Sequence, residues 1–187
     1  MRDTAPHREI PFNYTSADDR RAVSLLLGDS VWKHLEELRT RRVTGRSARL
    51  LNRFFGELLV HRRNPYLFEE LVSSRARRRR FFANVEKDLA LVEANAGGEA
   101  LVFEVLGESR RALEAFRADV EAAPQLRKLL ARELGGVVGQ ESVRFDPCTL
   151  VSHATDATDW RLHLPLAVTF PTEEAQVCSH DAASWSH

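Results

Sequence analysis

Cysteine is scarce in this chain. Only Cys148 and Cys178 occur in 187 residues, thirty positions apart and without a CxxC spacing. That excludes a disulfide framework and a cysteine-based zinc module as the organising features. Long hydrophobic runs are missing as well: nothing approaches the ~20 apolar residues that a membrane-spanning helix needs. The first residues, Met1-Arg2-Asp3-Thr4-Ala5-Pro6-His7-Arg8-Glu9, are polar and lack the apolar core of a signal peptide. A cytoplasmic protein is the expectation. Net charge is also absent, with 27 Lys and Arg against 27 Asp and Glu.

The neutrality hides an asymmetry. Residues 1–80 carry 18 basic and 10 acidic side chains, or +8, whereas residues 81–187 carry 9 and 17, or −8. Either the halves compensate each other within or between subunits, or the basic half faces an anionic partner. Compensation is the simpler expectation.

What is present is ordinary for a globular protein: 43% hydrophobic and 29% charged residues, enough for one domain or a domain plus a fragment. Residues 1–14 read as an extended arm, because Pro11 pushes Ile10 away from helix. Ser16 and Asp19 approximate a capping box, and Gly28 ends the helix they open. A second helix begins at Asp29 or Ser30, with Val31, Trp32, Leu35 and Leu38 at helical spacing. A third spans about Ser47 to His61 and buries its Leu and Phe pairs.

Asn64-Pro65 restarts the pattern, with Tyr66, Leu67, Leu71 and Val72 as core. A long helix then runs from near Ser74 to Ala94 on a stripe of Phe81, Phe82, Val85, Leu89 and Val92. After Asn95-Ala96-Gly97-Gly98, two more helices are predicted, Leu101 to Val120 and Pro124 to Leu134. The class is mainly α, a bundle of about six or seven helices over residues 15–135.

The character changes at Gly135-Gly136-Val137-Val138-Gly139. In residues 136–177 we expect a short strand at Ser142–Phe145, a turn at Asp146-Pro147, a polar loop from Thr149 to Arg161, and an apolar strand from Leu164 to Phe170. Pro171 to Ala175 sets up a helix start. The strand at 164–170 reads as an unfinished sheet. Residues 178–187 contain no Leu, Ile or Val and read as a tail without a structural role, of the kind a truncated or shifted reading frame leaves.

Few constellations carry chemistry. Arg75-Ala76-Arg77-Arg78-Arg79-Arg80 is the strongest charge signal. A basic patch can neutralise phosphates, but consecutive helical residues point in different directions. We expect these arginines to lay their stems along the core and meet acids such as Glu86, Asp88, Glu93 and Glu99. His153, Asp156 and Asp159, with His163 nearby, have a metal-like spacing, although a loop ordered by side-chain caps and anchored by Trp160 explains them as simply. No metal site is expected. Neither cysteine has the context of an activated thiol, no GxSxG elbow occurs, and the Gly pairs lie outside any strand–loop–helix setting that would cradle phosphate. They read as linkers.

Four blocks carry a resemblance: Glu9-Ile10-Pro11-Phe12-Asn13-Tyr14-Thr15-Ser16, Thr44-Gly45-Arg46-Ser47-Ala48-Arg49, Arg63-Asn64-Pro65-Tyr66-Leu67, and residues 151–161, Val-Ser-His-Ala-Thr-Asp-Ala-Thr-Asp-Trp-Arg. In that order, across residues 8–177, the chain resembles the uncharacterised N-terminal helical domain of long bacterial FAD-linked oxidoreductases, which are similar to D-lactate and D-2-hydroxyacid dehydrogenases and carry an iron–sulfur module. The resemblance implies that Asp156, Thr158, Asp159, Trp160 and Arg161 lead into an incomplete FAD-binding α+β domain whose first strand is Leu166–Phe170. It also implies FAD and an iron–sulfur cluster in the whole family but neither in this fragment, no catalytic residue here, and the missing flavin and iron–sulfur domains or another subunit as partners. The alternative is a stand-alone helical module binding an anionic partner, such as nucleic acid, through its Arg-rich half.

Overall fold

Short polar residues set the helix ends. Asn64 accepts from the backbone N–H groups of Tyr66 and Leu67 at 2.9 and 3.3 Å, with Pro65 in the first helical position. The Ser74 hydroxyl accepts from the Arg77 N–H at 3.3 Å at the head of the next helix. Gly28, at φ +96°, donates to the Ser24 carbonyl and closes the helical stretch before it.

The computed structural model describes residues 20, 23–24, 28–40, 46–153 and 165–177. Its elements are α1 (Asp29–Thr40), α2 (Arg46–Arg63), α3 (Pro65–Ser73), α4 (Arg75–Ala94), α5 (Ala100–Val138), a 3-10 turn at Gln140–Ser142, β1 (Val143–Arg144), α6 (Pro147–His153) and β2 (Val168–Thr169). The protein is mainly helical, as the periodicity predicts. The 1–14 arm, the 178–187 tail and most of the first predicted helix lie outside the described residues.

Two compact units divide the chain: Met1–Arg62 with Arg79–Phe116, and Arg63–Arg78 with Arg117–His187. The first is built on the predicted stripes. Phe54, Phe55 and Leu58 of α2 are at most 1% exposed, and Trp32 of α1 and Phe82 of α4 are also buried. Phe81 and Phe82 meet edge to face at 5.2 Å, and both rings lie 6.1 Å from Phe116 of α5. Polar contacts fix the helices in register: Arg53 with Asp88, Arg110 with Glu93 at 2.7 Å, and Ser30 with Glu108 at 3.0 Å.

The second unit has a thinner core, drawn from Leu71, Val120, Val138, Val143, Leu150 and Val168. Tyr66, expected in that core, is 52% exposed. It stands five residues before Leu71, about 140° round the helix, so burying one turns the other outward.

Several local expectations are corrected. The two helices predicted on either side of Pro124 are one helix of 39 residues. An internal proline costs about 3 kcal/mol, but strong helix formers flank it and the buried spacing at Leu113, Phe116, Val120 and Ala123 continues up to it. Gly135 and Gly136 are helical rather than a linker, and the chain turns at Gly139, φ +90°. Gly97 and Gly98, both at positive φ, do break the chain between α4 and α5.

Asp146-Pro147 is a helix start and not a simple turn. Asp146 accepts from the Thr149 N–H at 2.9 Å, and α6 replaces the first part of the predicted loop. The strand at 164–170 is shorter than expected and is not alone. β2 pairs antiparallel with β1 in the register Val143↔Thr169 and Arg144↔Val168, and the Phe170 N–H donates to the Ser142 carbonyl at 2.9 Å. Beyond it, residues 174–177 are helical, and the Gln176 side chain accepts from the Thr172 and Glu173 N–H groups.

Candidate functional site

The arginine run occupies the first turn and a half of α4. Its placement follows from sequence, since Ser74 caps the helix and the apolar stripe begins only at Phe81. Arg75, Arg77, Arg79 and Arg80 are exposed and Arg78 is half-buried. Arg77 pairs with Glu70 of α3. Two of the four acids expected to meet the run are engaged elsewhere: Asp88 holds Arg53, and Glu93 holds Arg110. Among the described residues, Arg75, Arg78, Arg79 and Arg80 have no ion-pair partner. Two arginines of the second resemblance block lie on another helix: Arg46 starts α2 and Arg49 is exposed on it.

A second cluster forms around α6. Cys148 and Asp146 approach Tyr66 of α3, and partial desolvation together with the neighbouring thiol raises the Tyr66 phenol above its ordinary pKa. Asp146 is shifted the other way: the Thr149 N–H, then the Thr149 hydroxyl, hold its carboxyl below the usual carboxylate range, with Arg144 adding to the effect. Cys148 is an exposed free thiol. Sequence reasoning missed this grouping, although Asp-Pro followed by Thr is a readable cap.

His153 is held within its own unit by a backbone and a ring contact. Its Nδ1 lies 2.9 Å from the Thr149 carbonyl and its ring meets Phe170 edge to face at 5.3 Å. Asp156, Thr158, Asp159, Trp160, Arg161 and His163, like Cys178, lie outside the described residues. Among the described residues no group of three His, Cys, Asp or Glu side chains could hold a metal ion. Within the same limits, no helix is long and apolar enough to cross a membrane.

At the β1–β2 ladder the apolar surface is open: Leu166 is 67% and Phe170 43% exposed, and Val177 beyond them 48%. In the same unit Leu126 and Leu129 of α5 are 40% and 46% exposed.

These elements define a mainly helical protein with a two-stranded antiparallel fragment. More particularly, the chain belongs to the DUF3683 family, described as a protein of unknown function, whose family model matches residues 5–118. Three of the four sequence blocks fall inside that match, and the block at 151–161 falls beyond it. No curated protein and no solved structure matches the chain.

Proposed function

We propose that this chain is an accessory, structural domain of an FAD-linked, iron–sulfur-containing oxidoreductase acting on 2-hydroxy acids. The resemblance of the four sequence blocks motivates this reading, and one structural observation supports it. The β1–β2 ladder has two residues per strand, with Leu166 and Phe170 largely exposed beside it. A two-stranded ladder of this length is marginal by itself, and open strand edges are templates for further pairing. A sheet supplied by a flavin domain would satisfy both the edge and the apolar side chains.

The flavin itself fits no site among the described residues. The Gly97-Gly98 turn joins two helices and leads to Glu99, an anion, at the start of α5, while Gly135 and Gly136 lie inside that helix. Neither provides the strand–glycine loop–helix arrangement that cradles a pyrophosphate. In this reading the flavin is held by the partner, and this chain supplies packing surface: Leu166 and Phe170 at the ladder, with Arg46 and Arg49 meeting acidic groups. Hydride and electron transfer belong to the cofactors.

A flavin absorbance titration of the purified chain tests the division of labour. The expected result is no saturable binding; tight binding of one FAD per chain would make this protein the flavoprotein and contradict the accessory role.

A further inference from the structure

We propose that Arg75, Arg78 and Arg79, at the head of α4, form a docking surface for the phosphodiester backbone of nucleic acid. At 3.6 residues per turn the three fall within an arc of about 100°, so they present one face. Arg80 flanks it. From Arg75 to Arg79 the helix rises about 6 Å, so the three guanidinium groups are close enough together to meet neighbouring phosphates of one duplex.

The arginines are uncompensated. Among the described residues the whole run takes one carboxylate, that of Glu70, and Arg77 uses it. Asp88 and Glu93, further along the same helix, pair with Arg53 and Arg110. Unpaired guanidinium forks at the positive end of a helix are suited to phosphate oxygens, which they grip bidentately and without regard to sequence. No base-reading element is required, so the expected binding is non-specific and salt-sensitive. This surface is separate from the β1–β2 ladder on which the accessory role rests, and either can fail without the other.

The test is fluorescence anisotropy of the full chain against a labelled DNA duplex of random sequence. Three phosphate contacts predict a slope near −2.7 for log affinity against log salt, or about 40-fold weaker binding on going from about 50 to about 200 mM salt. Arg75→Gln, Arg78→Gln and Arg79→Gln together should abolish that dependence with helical circular dichroism unchanged. The same number of substitutions at Arg110, Arg111 and Arg132, each already paired with a glutamate, should leave it intact. The proposal is overturned if wild type fails to bind at low salt, if the first triple variant binds as well as wild type, or if polyglutamate competes as effectively as the duplex.

Discussion

Arg127 of α5 and Glu69 of α3 hold their charged ends 2.6 Å apart with only 25% and 28% of their side chains exposed. Glu69 Oε2 is sealed from solvent and has no well-aligned hydrogen bond, so the contact is chiefly electrostatic. Removing one partner leaves a largely desolvated charge. Arg127→Met or Glu69→Leu alone should each cost about 1–3 kcal/mol, more than a surface pair and less than a fully buried one. The double variant should cost less than the sum of the singles, read from urea denaturation midpoints. Strict additivity would show that the two charges are not coupled.

Helix α5 offers substitutions of opposite sign. Pro124→Ala restores a backbone donor inside the helix and should stabilise by about 1–2 kcal/mol, after allowing for the freer unfolded chain. Gly136→Ala meets nothing within 4 Å and should gain up to about 1 kcal/mol. Gly135→Ala would bring its Cβ to 3.0 Å from Gln140 Cγ and 3.2 Å from Gln140 Cα, so it should destabilise despite the better helix propensity. Thermal midpoints of the three variants check this; a gain from Gly135→Ala would mean that the turn at Gly139 yields.

Asp146 makes stability sensitive to acid. Its carboxyl is held below the usual carboxylate range by the Thr149 donors. A depressed folded-state pKa contributes stability that is complete above the unfolded value and is lost as pH falls through the folded one. Asp146→Asn keeps a capping acceptor that does not titrate. The gap in urea midpoint between wild type and Asp146→Asn should therefore narrow as pH falls below the ordinary carboxylate range. A gap that stays constant into acid would contradict the assignment.

Much of the fold was legible because local chemistry decides it. Asn64-Pro65, Ser74 and Gly28 announce helix ends, and the spacing of Phe54, Phe55, Leu58, Phe82, Val85 and Leu89 announces buried faces. Pro124 misled because the penalty for one internal proline is spread over a 39-residue helix. The β1–β2 pairing was hidden because each strand has two residues, too few for an alternating pattern, and they stand 24 positions apart between Arg144 and Val168. Ion pairing was the least readable feature. Which acid meets which arginine depends on how helices are turned toward one another, so Arg53 rather than the 75–80 run claims Asp88.

The accessory role is tested most directly by capturing the tagged full-length chain from its source cells and examining what it retains. The account predicts a complex that carries flavin absorbance and reduces an electron-accepting dye when given a 2-hydroxy acid, and that weakens when Leu166 and Phe170 are replaced by Ser. A chain that emerges without flavin or dye reduction, or a flavin complex indifferent to those two residues, would contradict it.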